Sequence, residues 1–144
     1  MGNTTMSADQ VVSGTYGAVW VGENKLANVK KFKAEKKAIY EDVDISEQLG
    51  HSRKLVGYEI TGTMTLSKVD SFFAKLLDAD WNAGKNPDVT IIARTADPSA
   101  NGKEGISLTG VTFDSLTLLD FEIKKLGEEE MSFAATTSKY TDLI

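Results

Sequence analysis

Ten residues constrain the fold of this chain more than any others. Tyr58, Ile60, Gly62, Met64 and Leu66 alternate with Glu59, Thr61, Thr63, Thr65 and Ser67. Period-2 alternation with one face polar defines a strand whose other face is buried. The polar face here is almost entirely hydroxyl, so the strand belongs to an antiparallel sheet wetted on one side. The same pattern recurs upstream. From Leu26 to Ile39, Phe32, Ala34 and Ala38 share one parity, while Lys31, Lys33, Glu35 and Lys37 share the other. A basic helix would scatter Val29, Phe32 and Ile39 around its axis, so a strand is preferred.

Five further strands are expected: Thr15–Val21, Asp88–Thr95, Ile106–Phe113, Leu116–Ile123 and Met131–Thr137. In the first, Tyr16, Ala18 and Trp20 are assigned to the core side. One helix interrupts them. Val69, Phe72, Phe73, Leu76, Leu77 and Trp81 form a single stripe at helical spacing over about 69–84. Ser67 and Asp70 resemble a capping box at its start, and Gly84 followed by Pro87 ends it. The expected fold is mostly β (β+α), an antiparallel β-sandwich or half-barrel with one packed α-helix. Residues 1–13 read as a flexible arm and residues 14–144 as one domain. Residues 41–56 read as a long, mainly polar loop with Gly50 in its middle.

Composition narrows the function. With no cysteine in the sequence, disulfides and thiolate metal sites drop out. The net charge of −5 disfavours nucleic-acid binding, which needs clustered cations. No apolar run is long enough to span a membrane, and Met1–Gln10 has no apolar signal core, so a cytoplasmic protein without a membrane anchor is expected. His51 is the only histidine, and no partner stands at ligand spacing; an exposed or lightly packed loop residue is the expected reading. Asp42 and Asp44 suggest a calcium loop, but its sixth and twelfth positions hold Glu47 and Arg53 instead of Gly and Glu. No phosphate-binding glycine loop or nucleophile elbow occurs. Trp20 and Trp81 fall on the core parity as read here, which favours packing over ligand stacking. Neither a catalytic site, nor a metal site, nor a cofactor is expected.

Charge is segregated instead. Residues 25–37 carry six lysines against one glutamate, residues 41–47 carry four acids and no base, and residues 114–130 carry six acids against two lysines. Such blocks are either solvated faces or complementary patches that meet between copies of the chain. The candidate patches are Lys30, Lys31, Lys33, Lys36 and Lys37 on one side and Glu128, Glu129 and Glu130 on the other.

Several strings, in order, resemble the tail tube proteins of contractile phages, in particular PBSX-like prophage tubes and R-type bacteriocins. They are Gly22-Glu23 with Leu26-Ala27-Asn28-Val29-Lys30, then Lys54 and Gly57 with Thr61-Gly62-Thr63-Met64-Thr65. Val111-Thr112-Phe113-Asp114-Ser115 and Glu128-Glu129-Glu130-Met131-Ser132-Phe133 follow. The resemblance runs from about Gly14 to the C-terminus. It implies a structural protein that forms six-membered rings stacked head to tail into the inner tube of a contractile tail. Adjacent inner sheets would join into a continuous barrel. A sheath would surround the tube, baseplate and tail-terminator proteins would close its ends, and contraction would drive it through a target envelope. Assembly would take place in the bacterial host cytoplasm.

Under this reading Glu59, Thr61, Thr63, Thr65 and Ser67 are candidates to line the lumen. Asp42, Val43, Asp44, Ile45, Leu49, His51, Arg53 and Lys54 are candidates for an assembly loop that grips neighbours. A monomeric β-sandwich that binds sugar or peptide is the alternative; it would want exposed aromatics, whereas those here mostly fall on core parities.

Overall fold

The computed structural model describes residues 17–44, 49–95 and 104–142; the expected arm at 1–13 lies outside them. Among the described residues eight strands surround one helix: β1 (Gly17–Val21), β2 (Asn24–Leu26), β3 (Val29–Val43), β4 (Ser52–Ser67), α1 (Phe72–Asn82), β5 (Val89–Thr95), β6 (Glu104–Phe113), β7 (Glu128–Ala135) and β8 (Thr137–Asp142). All pairings are antiparallel. The main path runs β2-β1-β5-β6-β7-β4-β3, with β8 paired to β6 off that path, so the sheet never closes. The expected half-barrel with one packed helix is the observed architecture.

The barrel bends at one corner. The first part of β6 lies between β5 and β8, whereas Thr112 and Phe113 pair with Ala134 and Phe133 of β7. Gly110 sits at the bend with φ 64°. Opposite it, Thr136 separates β7 from β8 and donates its N–H to Thr109 O at 3.0 Å. Both chains therefore turn the corner together.

The core lies between the bent sheet and α1. It contains Val19, Val21, Ile60, Met64, Leu66, Phe73, Leu77, Ile91, Leu108, Val111, Phe113, Met131 and Phe133, all buried. A chain of aromatic contacts crosses it. Phe32 stacks on Phe133 at 5.8 Å, Phe133 meets Phe113 edge-on at 6.2 Å, and Phe113 meets Phe73 of the helix at 5.3 Å. Such aromatic pairs stabilise by about 0.5–1.5 kcal/mol each beyond the area they bury.

Several expectations are corrected. Val19 and Val21, not Ala18 and Trp20, face the core, and Tyr16 lies outside the described residues. Trp20 lies on the outer side between Lys25 and Arg94, whose cationic groups sit 5.6 and 4.7 Å from its ring. The sequence shows alternation here with apolar residues on both parities, so the side that faces inward was not determined locally. The helix begins later than its stripe suggests. Ser71 is its N-cap, without a side-chain capping bond, and the Asp70 carboxylate accepts the Phe72 N–H at 3.2 Å. Val69 precedes the helix and is exposed.

The helix end follows the expectation. Gly84 has φ 74°, Gly84 N–H donates to Trp81 O at 3.0 Å, and Lys85 N–H donates to Asp80 O at 2.8 Å, the paired bonds of a Schellman stop. The expected strand Leu116–Ile123 is irregular chain, because no described strand lies beside it. The expected 41–56 loop is shorter. Glu41–Val43 pair with Ser52–Lys54 and Tyr40 with Leu55, so both flanks of the expected loop belong to β3 and β4.

Candidate functional site

Two features built by β3 and β4 gather most of the residues singled out from the sequence. The first is a polar wall. Cross-strand partners share a face, and the register places Lys31 beside Thr65 and Thr65 beside Glu130; Lys33, Thr63 and Ser132 form the next row, and Lys37 faces Glu59. The outer face of this sheet is thus a hydroxyl column between a lysine column and a strand with Glu130. Glu59 and Thr61 are exposed on it, while Thr63, Thr65 and Ser67 are half-buried.

The structure sorts the candidate charge patches. Lys31, Lys33 and Lys37 stand on the outer face with Glu35 among them, its carboxylate 3.7 Å from Lys33 Nζ. Lys30 does not: a register shift between Val29 and Lys31 makes it a bulge residue, and its Nζ lies 2.6 Å from Glu128 Oε1. These two charges already compensate each other within the chain. Lys36 falls on the opposite face and sits 4.3 Å from the centre of the Tyr58 ring. Glu129 is a correction. Its position opposite Leu66 turns it inward; it is 8% exposed and pairs with Lys68 Nζ at 3.2 Å. A buried carboxylate with its cation in the same chain is not a surface patch.

The second feature is an arm. β3 and β4 are fifteen and sixteen residues long, and the core covers only their near halves. Beyond Glu35 every described residue of β3 is exposed. The arm nevertheless carries Ile39, Tyr40, Val43, Leu49, Leu55, Val56 and Tyr58, all exposed. Arg53 sits 4.0 Å from the Tyr40 ring centre, and His51 Nδ1 contacts Asp44 Oδ1 near the tip. These contacts bind the two strands of the arm to each other. Asp42, Val43, Asp44, Leu49, His51, Arg53 and Lys54 are all on this arm; Ile45 lies outside the described residues. Tyr40, Val56 and Tyr58 are surface residues that sequence reasoning missed. The available signal was a run of apolar side chains on both parities, which one core cannot cover.

Among the described residues no group of three His, Asp or Glu side chains is placed to hold a metal. None of their helices is long and apolar enough to cross a membrane. A cleft of about 510 Å³ opens beside β3, lined in part by Phe32, Ala34, Arg94, Ile106 and Tyr140.

An unclosed antiparallel half-barrel with one helix and a projecting β-arm is the architecture of a structural protein that assembles through its free edges and arm. The family comparison agrees: the model for phage tail tube proteins matches residues 4–142, and the chain belongs to that family. It is 31% identical over 131 residues to the phage-like element PBSX protein XkdM of Bacillus subtilis (strain 168), covering 89% of this chain and 88% of that protein. Its fold is similar to a chain in the sheath–tube complex of the PVC extracellular contractile injection system in the extended state, with a TM-score of 0.67 at 12% identity, covering 96% of this chain and 100% of that one. A chain of the anti-feeding prophage tube-terminating cap gives a TM-score of 0.65 at 10% identity, covering 99% and 100%.

Proposed function

We propose that this chain forms the inner tube of a contractile tail, as six-membered rings stacked head to tail inside a sheath. The observation that carries the reading is the β3–β4 arm. Its exposed Ile39, Tyr40, Leu49, Leu55, Val56 and Tyr58 lie beyond the part of the fold that the core covers. Burying a side chain of this kind against a neighbour stabilises by roughly 1.5–3 kcal/mol, which outweighs exposed charge pairs worth about 0–1 kcal/mol. Assembly also removes a liability, since long free edge strands invite uncontrolled pairing.

In this reading the arm grips the adjacent subunit or ring. The Glu59, Thr61, Thr63, Thr65 and Ser67 face lines the lumen, where its hydroxyls are flanked by Lys31, Lys33 and Lys37 of β3. The sheath surrounds the tube, and baseplate and terminator proteins close its ends. The chain assembles in the bacterial cytoplasm and is not an enzyme. Family membership and the likeness to chains of a sheath–tube complex and a tube-terminating cap support this reading over a monomeric binding module. Negative-stain microscopy of the purified protein at rising concentration tests it. Rings or rods are the expected result; a monodisperse monomer at every concentration and salt overturns it.

A further inference from the structure

The chain between Asp114 and Gly127 links β6 to β7 without regular structure. Its ends are fastened. Asp114 N–H donates to Ser132 O and Lys68 N–H donates to Gly127 O, both at 2.9 Å, and Leu116 packs against the core. The middle is not covered. Leu118, Leu119, Phe121, Ile123 and Leu126 are between 77% and 92% exposed. From Thr117 to Lys124 no backbone N–H donates to another backbone carbonyl among the described residues. A run of large apolar side chains with open backbone groups has the makings of a strand whose sheet is missing.

Laid out as a strand, this segment has two unlike faces. Leu119, Phe121 and Ile123 point one way, and Leu118, Asp120 and Glu122 the other. A matching edge exists on the same protein. Among the described residues β3 bonds only to β4, so its other flank presents backbone groups that none of them pairs. Beneath that flank, Phe32, Ala34 and Ile106 line the open cleft. Above it, Lys31, Lys33 and Lys37 stand on the outer face. An added strand with apolar residues on its cleft side and acids on its outer side complements both. Within a single chain the segment stays exposed, so its own β3 does not receive it.

We propose that residues 117–123 of one copy add as a strand to the free edge of β3 in a second copy. Leu119, Phe121 and Ile123 cover Phe32 and Ala34; Asp120 comes level with the lysine column, and Glu122, which lies 3.2 Å from Lys125 Nζ within its own chain, exchanges that partner for a β3 lysine. Each copy then offers one donor segment and one acceptor edge, a heterologous contact that closes into a ring when the rotation allows it. The inference rests on the reading that copies of this chain assemble.

The absence of cysteine makes disulfide trapping clean. A chain carrying Glu122→Cys is mixed with a chain carrying Lys31→Cys, Lys33→Cys or Lys37→Cys and oxidised, with Lys85→Cys as the control acceptor. Sedimentation follows assembly in parallel. A mixed dimer is expected with at least one of the three β3 acceptors, is absent with the control, and is lost when the donor also carries Phe121→Asp. Assembly without a mixed dimer for any β3 acceptor overturns the inference and leaves the tube reading intact. A mixed dimer without rings or rods supports the inference and overturns the tube. Neither one overturns both.

Discussion

The Phe133 ring lies across Gly62, its cross-strand partner, so closely that a Cβ at residue 62 would stand 2.4 Å from Phe133 Cζ. The same Cβ would stand 2.5 Å from the Lys33 carbonyl oxygen on the other neighbour. The glycine lets Phe133 reach Phe32 and Phe113 and so carries the aromatic chain from β3 into the core.

Gly62→Ala should therefore lower stability by about 1–3 kcal/mol through overpacking. The Lys33 oxygen is backbone and cannot swing away. Thermal unfolding of the unassembled chain checks this; a melt equal to that of the parent would show that β3 and β7 part without cost.

Gly110 makes the corner between the two parts of the sheet. Its φ is 64°, and a Cβ there would meet Thr136 Oγ1 at 2.5 Å. Gly110→Ala combines a disfavoured backbone region with a steric clash. We expect a loss of at least about 1–3 kcal/mol, read in the same unfolding experiment. Gly84→Ala has the positive φ but open space around it, so it should cost less.

The double change Leu49→Ser with Leu55→Ser should leave the thermal melt close to that of the parent, because both side chains are exposed. Rings and rods should be lost or need a much higher protein concentration. Assembly at the parent threshold, followed by light scattering, would remove the arm from the interface.

Thr61 is exposed on the outer face of the sheet, and the chain has no other thiol to compete. In Thr61→Cys, assembled tubes should react with a small maleimide and resist the same group carried on a large polymer. The unassembled chain should react with both. Equal reaction of tubes with both reagents would put this face on the tube exterior.

Assembly should slow as salt rises. Lys31, Lys33, Glu35 and Lys37 form one exposed column with a net positive charge, and salt screens such charges beyond about 8–10 Å. The effect should fall on the rate of association more than on the final tubes. Stopped-flow scattering from low to high ionic strength measures it, and a flat rate would argue that the lysines do not steer association.

Sequence alone determined whatever rests on local periodicity and local chemistry. Alternation from Ile60 to Leu66 placed the inner face of β4. The spacing of Phe72, Phe73, Leu76 and Leu77 gave the helix, and Gly84 gave its end. The order of short strings indicated the family. Only the tertiary structure decided features that depend on what lies opposite. Trp20 faces outward because β1 sits against β5 with Val19 and Val21 on the core side. Lys30 left the lysine face through a bulge, and Glu129 turned inward to Lys68. Leu116–Ile123 carries a strand's residues but no strand's partner. The arm extends beyond the core because pairing of β3 with β4 outlasts the sheet beneath it. Register, bulges and missing neighbours are properties of two chain segments together, and no single segment encodes them.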